Sequence, residues 1–115
     1  MTQVFVRLLS DVVAYGREAI ETVGDRSAEQ IVAERLREHS VLRTVQIVGE
    51  AAAQAVKIRP VLLSQVPDLR RAIGLRNVLV HGYTGIRMDE IVRIVRNDMP
   101  ILIDRVEQVL REAEA

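Results

Sequence analysis

Apolar residues recur at intervals of three and four along nearly the whole chain, and this periodicity constrains the fold more than any other feature. Hydrophobic residues make up 49% of the 115 residues, but charged residues divide them into short clusters. A spacing of three or four places side chains on one face of an α-helix, whereas a half-buried strand requires strict alternation. The sequence therefore predicts an all-α fold.

The first half of the chain contains two helical regions. The first is expected over about 2–23 and ends at Gly24-Asp25. Ser27-Ala28-Glu29-Gln30 then matches a capping box, in which the serine hydroxyl and the glutamine side chain each satisfy a backbone amide. The second region continues to about Lys57, and one unbroken helix of that length would far exceed the first. We therefore expect a break near residues 38–40.

Prolines delimit the next segment. Pro60 and Pro67 bracket a connection, and because proline is tolerated in a first helical turn, a third helix is expected to begin near residues 64–67. Gly82 is suited to end that helix, since glycine readily adopts the left-handed conformation of a C-cap.

A last helix is expected over about 88–113. Asp89 and Glu90 fall in its first turn, where the helix dipole favours negative charge. Pro100 lies inside it and is expected to kink it, because the amide that would bond to residue 96 is missing. Together these segments predict one domain over residues 1–115, an antiparallel bundle of four to five helices with a kinked last helix.

Composition excludes several classes of protein. The chain has no cysteine, and its two histidines are too few for a metal cluster, so we expect neither metal nor cofactor. No apolar run approaches the length of a membrane span, and charges at Arg7 and Asp11 are not typical of a signal peptide. We expect a cytoplasmic protein.

The 16 basic and 16 acidic residues cancel, but their distribution is uneven. The segment 70–96 contains only two acidic residues, Asp89 and Glu90, and a larger set of arginines. These are Arg70, Arg71, Arg76, Arg87, Arg93 and Arg96. An arginine fork suits phosphate oxygens, so the cluster could guide RNA, although a solvated face is an equally good interpretation.

Four polar residues interrupt the apolar end of the third helix: Arg76, Asn77, His81 and Tyr83. Asn77 and His81 are four apart and share one ridge, and the long Arg76 side chain can reach towards them. An imidazole near its ordinary pKa of about 6.5 can move the proton of a 2′-hydroxyl, and a guanidinium can hold the phosphate. One histidine supplies half of an acid–base pair, and a two-fold dimer would supply the other half. Alternatively, His81 only caps the helix C-terminus.

The spacing Arg76-x-x-x-x-His81-x-Tyr83 resembles the signature of HepT toxins in the HEPN superfamily. Three further segments resemble that family in the same order. They are Val41-Leu42-Arg43 followed by Ile47-Val48-Gly49-Glu50-Ala51-Ala52, then Ile73-Gly74-Leu75-Arg76-Asn77, then Asn97-Asp98-Met99-Pro100. The likeness covers roughly residues 5–110. Ser40, Thr44 and Gly82 depart from the family pattern, but the three motif residues do not.

The resemblance implies a homodimeric, metal-independent endoribonuclease toxin of a type II toxin–antitoxin system. It implies that Arg76 and His81 are catalytic and that Asn77 orients the histidine or the phosphate. It further implies a partner, an MntA-like nucleotidyltransferase antitoxin, that neutralises the toxin by attaching AMP to Tyr83.

Two residues of the second helical region are candidates for supporting roles. Glu50 could form an ion pair with Arg76 or polarise the site, although a structural pairing with another arginine is also expected of such a residue. Gly49 is expected to permit close helix packing. A second hypothesis for the whole chain is a non-catalytic nucleotide- or partner-binding subunit of a nucleotidyltransferase, and a third is a degenerate structural bundle.

Overall fold

The computed structural model describes residues 2–80 and 87–114, and most residues in these ranges are helical. The segments are α1 (Gln3–Val23), α2 (Ala28–Ala33), α3 (Arg35–Ile58), α4 (Leu62–Gln65), α5 (Leu69–Val80), α6 (Met88–Arg93), a π-helical segment (Ile94–Asp98) and α7 (Met99–Glu114). The prediction of an all-α fold is confirmed.

Helix α1 has well-defined ends. The Thr2 hydroxyl accepts a hydrogen bond from the amide of Phe5 at 3.2 Å, which satisfies one of the free donors of the first turn. At the other end Gly24 has φ +53° and donates its amide to the carbonyl of Ile20 at 2.8 Å. Glycine adopts this positive φ without the penalty that a Cβ imposes, so the predicted end of α1 is confirmed.

The predicted capping box is present at the start of α2. The Ser27 hydroxyl accepts from the Gln30 amide at 3.1 Å, and the Gln30 side chain accepts from the Ser27 amide at 2.9 Å. The predicted break near residues 38–40 is wrong, because the chain is interrupted at Glu34, in an extended conformation, and α3 continues through 38–40.

Contacts of Arg37 connect this break to the end of α1. Its guanidinium pairs with the Glu34 carboxylate and also donates to the carbonyl of Thr22 at 3.1 Å, near the end of α1. The hydrogen bond from Arg37, followed by its positive charge, lowers the pKa of Glu34. The start of α3 is therefore tied to the end of α1, a tertiary contact that the periodicity of the chain does not contain.

The third predicted helix begins later than expected, at Leu69, and the short α4 precedes it. Val66 is extended (φ −133°, ψ 78°), as expected of a residue that precedes a proline. The amide of Arg70 donates to the Pro67 carbonyl at 3.1 Å, so Pro67 belongs to the turn that leads into α5. The predicted end at Gly82 lies outside the described residues.

The last helix deviates at the proline, as predicted. The segment Ile94–Asp98 is π-helical, and the amide of Met99 donates to the carbonyl of Ile94, five residues earlier. Pro100 has no amide to bond to the carbonyl of Arg96, and the wider turn accommodates this missing hydrogen bond. Asp89 and Glu90 occupy the first turn of α6, in agreement with the predicted start.

The long helices pack antiparallel. The Arg59 guanidinium, just after α3, lies 5.6 Å from the ring centre of Phe5 near the start of α1, while Arg37 reaches the end of α1. Arg96 donates to the carbonyls of Gly24 and Arg26 at 2.9 and 2.8 Å, so α1 and the last helix also run in opposite directions. The predicted antiparallel bundle is confirmed.

The core is divided along the bundle into two clusters. One surrounds Phe5, Leu9 and Val48, and the other surrounds Ile31, Val45 and Leu75. Leu75 comes from α5, so the helix that carries the arginine of the motif is anchored in the second cluster. In the described part of the chain, no helix combines the length and apolar character needed to cross a membrane.

Two leucines provide a matched test of this core. Leu9 is fully buried, whereas Leu36 is 85% exposed. Leu9→Ala should lower the free energy of unfolding by about 2–5 kcal/mol, since it removes buried methyl groups and leaves a cavity. Leu36→Ala should change it by less than about 0.5 kcal/mol. Urea denaturation followed by circular dichroism measures both, and equal losses would contradict the assigned burial.

Candidate active site

Helices α3 and α5 are in close contact at Gly49, and Arg76 lies at that point. A Cβ placed on Gly49 would lie 2.3 Å from the Cβ of Arg76 and 2.6 Å from the carbonyl oxygen of Ala72. Ordinary carbon–carbon contacts are about 3.5–4 Å, so α5 could not lie here against any residue larger than glycine. The expected close packing at Gly49 is confirmed, and its partner is the helix of the motif.

This packing places part of the Arg76 side chain inside the protein. Its Nε is buried and has no hydrogen-bond partner among the described residues, while the residue as a whole is partly exposed. A buried donor without an acceptor costs about 1–3 kcal/mol, and more for a charged group. The Nε of Arg76 therefore needs an acceptor that the described part of the chain does not provide.

Glu50 does not supply that acceptor. Its carboxylate accepts a hydrogen bond from the side chain of Gln46 at 3.2 Å, one turn earlier on α3. Within residues 2–80 and 87–114 the ion pairs do not include one between Glu50 and Arg76. Neither alternative ion pair of Glu50, with Arg76 or with another arginine, is present among the described residues. Geometrically, residue 49 faces α5, and residue 50 is turned about 100° away from it.

Of the other three motif residues, the described part of the chain includes Asn77. Asn77 is exposed on α5, next to Arg76. His81 and Tyr83 lie outside the described residues, so their predicted positions relative to Arg76 stay predictions.

Three of the six arginines in the predicted cluster form ion pairs or hydrogen bonds with other described residues. Arg71 pairs with Asp98 at 2.8 Å and Arg87 pairs with Asp89 at 3.1 Å. Arg96 donates to two backbone carbonyls between α1 and α2. Arg70 and Arg93 are exposed, and in the described residues they form no ion pair. Arg70 and Arg93 are therefore the members of the cluster best placed to meet an anion from solution.

Sequence reasoning missed a groove of about 870 Å³ between α5 and the last helix. Its floor includes Val45, Val48 and Leu75, and Arg70 and Arg93 are among its charged lining residues. Two ion pairs cross the groove, Arg71 with Asp98 at 2.8 Å and Arg105 with Asp68 at 2.6 Å. The sequence does contain a signal for these ion pairs. Asp68 and Arg71 are three residues apart, and Asp98 and Arg105 are seven apart, so each pair is expected to lie on one helix face.

In the described ranges, no group of three or more acidic or histidine side chains could hold a metal ion. The chemistry available from these residues is therefore that of a guanidinium close to an apolar helix interface, with exposed amide and arginine side chains nearby.

Comparison with known proteins gives relatives of similar length in Methanocaldococcus jannaschii. The protein named "Putative RNase MJ1380" is 29% identical over 103 residues, which cover 88% of this chain and 92% of the relative. A second, "Putative RNase MJ0127", is 26% identical over 106 residues, covering 92% and 87% of the two chains. No solved structure gives a significant match.

A family model described as "Ribonuclease HepT-like" matches residues 15–109. The match includes the whole of α3 and α5 as well as the segment 81–86, and so it covers the motif and the helices that support it. The resemblance seen in the sequence is confirmed, and with it the prediction of a ribonuclease family. The chain belongs to the HepT-like ribonuclease family.

Proposed function

We propose that this chain is a single-domain, cytoplasmic endoribonuclease toxin of a type II toxin–antitoxin system, which cleaves RNA without a metal ion or cofactor. The observation that carries the proposal is Arg76, held at the contact between α3 and α5 with a buried Nε for which the described residues provide no acceptor. Family membership and the intact spacing from Arg76 to His81 and Tyr83 support the same assignment.

The proposed reaction uses the 2′-hydroxyl of RNA as the nucleophile. His81 accepts its proton while the 2′-oxygen forms a bond to phosphorus. The bond from phosphorus to the 5′-oxygen breaks, and a second imidazole donates a proton to the leaving oxygen. Arg76 binds the non-bridging oxygens as negative charge develops on them. The products are a 2′,3′-cyclic phosphate and a 5′-hydroxyl.

The proposed reaction uses two imidazoles, and the motif of each chain contains one, that of His81. The proposed site therefore requires two copies of the chain. In a two-fold dimer the same surface of both subunits meets, so a motif close to the axis contributes twice. The second subunit would supply the second imidazole. The acceptor for the Arg76 Nε, which residues 2–80 and 87–114 do not provide, would then come from the bound phosphate, the second subunit or the segment 81–86.

Asn77 and Glu50 are assigned supporting roles. Asn77 is exposed on α5 and, by its spacing, shares a ridge with His81, so its amide is suited to orient the imidazole or the phosphate. Glu50 follows the contact residue Gly49 and is held by Gln46, which keeps a negative charge close to the α3–α5 contact.

Tyr83 is the proposed site of regulation. An MntA-like nucleotidyltransferase antitoxin would transfer AMP from ATP to its phenolic oxygen, with release of pyrophosphate. The added phosphate carries negative charge next to the motif, where it would compete with RNA for the Arg76 guanidinium.

The two histidines of the chain permit a matched test of the nuclease. His81→Ala should lower RNA cleavage in EDTA by about 10²–10⁴-fold, the usual contribution of a general acid or base. His39→Ala changes an exposed residue of α3 and should cleave like the wild type. Gel analysis of labelled RNA measures the rates, and the wild-type product should carry a cyclic or 3′-phosphate end.

Persistent cleavage by the His81→Ala protein would contradict the assignment of His81. A wild-type dimer that does not cleave RNA but co-purifies with a nucleotidyltransferase would instead indicate the non-catalytic binding subunit.

Mixing tests whether two subunits share the site. Wild-type protein equilibrated with a large excess of the His81→Ala protein is converted to mixed dimers, in which one imidazole is missing. The activity per wild-type chain should fall at least about tenfold, since half of the acid–base pair is lost. An equal concentration of RNase-free albumin serves as the control. Unchanged activity per wild-type chain would show that each subunit acts alone.

The two tyrosines permit a test of modification. After incubation with ATP and a nucleotidyltransferase of the proposed kind, intact-protein mass spectrometry should detect addition of one adenylyl group. Tyr83→Phe should abolish the addition, and Tyr15→Phe, at a partly buried position of α1, should not. Adenylylation of the Tyr83→Phe protein would move the proposed site elsewhere.

A further inference from the structure

The contact between Gly49 and Arg76 has a consequence for catalysis. A Cβ at residue 49 would lie 2.3 Å from the Cβ of Arg76, 3.1 Å from its Cγ and 2.6 Å from the backbone oxygen of Ala72. The first two atoms are the root of the Arg76 side chain, and the third belongs to the α5 backbone one turn earlier. An added methyl group therefore cannot be relieved by rotation of a flexible side-chain end.

The two carbon atoms would have to move apart by more than about 1 Å to reach the ordinary van der Waals separation of about 3.5–4 Å. Because Arg76 Cβ is attached directly to the backbone, this movement displaces either α5 or α3. Leu75, next to Arg76, is buried in the core on α5, so the displacement would be opposed by packing on that helix.

From this contact we infer that Gly49 is a positioning residue for the reaction and acts through Arg76. The absence of a side chain at residue 49 sets the depth at which the guanidinium is held, including the burial of its Nε. This inference rests on the proposed function, because it concerns how that function places its arginine. Catalysis is sensitive to such placement, since a shift of about 1 Å can lower a rate about 10²-fold.

A second glycine provides the matched control. Gly74 lies on α5, two residues before Arg76, and a Cβ placed on it meets no atom of the surrounding described residues within 4 Å. Gly49→Ala and Gly74→Ala thus add the same methyl group to helical positions. At residue 49 the methyl group meets Arg76, and at residue 74 it meets none of the surrounding described residues. Alanine is the better helix former in both cases, so neither change removes helical order.

The first measurement is cleavage of one labelled RNA by wild type and both variants. Gly49→Ala should lower kcat by about 10²-fold with a smaller change in KM. The reason is that a displaced guanidinium no longer stabilises the charge that develops in the transition state. Gly74→Ala should retain wild-type kcat and KM. Equal activity of Gly49→Ala and wild type would overturn the inference, and a wild type without cleavage would overturn the proposed function instead.

The second measurement separates positioning from a general structural role. Gly49→Ala is combined with Arg76→Ala and assayed at high protein concentration. If Gly49 acts through Arg76, the double variant should be no slower than Arg76→Ala alone. A further loss similar to that caused by Gly49→Ala in the wild-type background would assign residue 49 a role independent of Arg76.

The third measurement needs no RNA, and its decisive signal comes from the wild-type protein. In nitrogen-15 NMR spectra the Nε–H of Arg76, assigned by its loss in Arg76→Ala, should exchange with water more slowly than those of exposed arginines, because it is buried. Gly49→Ala, where it folds, should shift that signal or speed its exchange, and Gly74→Ala should not. A wild-type Arg76 Nε–H that exchanges as fast as the exposed ones would contradict the inference.

Discussion

The close approach of α3 and α5 at Gly49 is the contact on which the candidate site depends. With no side chain at residue 49, the root of Arg76 and the carbonyl of Ala72 occupy the space that a methyl group would fill. The result is a charged side chain whose Nε is buried at a helix interface and has no acceptor in the described part of the chain. Such burial costs free energy, and proteins retain costs of this kind mainly at functional sites.

The two sides of α5 are held by different forces. On the side of α3 the contact is tight and largely apolar, with Leu75 in the core. On the side of the last helix a groove of about 870 Å³ remains, and ion pairs from Arg71 to Asp98 and from Arg105 to Asp68 cross it. Exposed ion pairs of this type contribute little stability, so α5 is positioned mainly by α3. The π-helical segment before Pro100 supplies Asp98 to one pair and Arg96 to the α1–α2 connection.

Local signals predicted most helix boundaries because the groups that set them lie within one turn. Gly24 ends α1 through its own backbone conformation, and Ser27 and Gln30 cap α2 across three residues. The break at Glu34 has no such local signal, and the contact beside it is a tertiary one, from Arg37 to the carbonyl of Thr22, 15 residues earlier. The Glu50–Arg76 pair, one of two alternatives that the sequence left open, is absent from the described residues for a related reason, since helix packing turns residue 49 towards α5 and leaves residue 50 beside Gln46.

The sequence by itself determined the all-α fold, the order of the motif residues and membership of the HepT-like family, because each depends on spacing along the chain. Only the tertiary structure decided which glycine contacts the arginine, which arginines are engaged by carboxylates and where the groove lies. These features arise between residues far apart in sequence, such as Arg71 and Asp98, which are 27 residues apart. Their contacts depend on the rotation and depth at which helices pack, and helical periodicity specifies an apolar face without specifying either quantity.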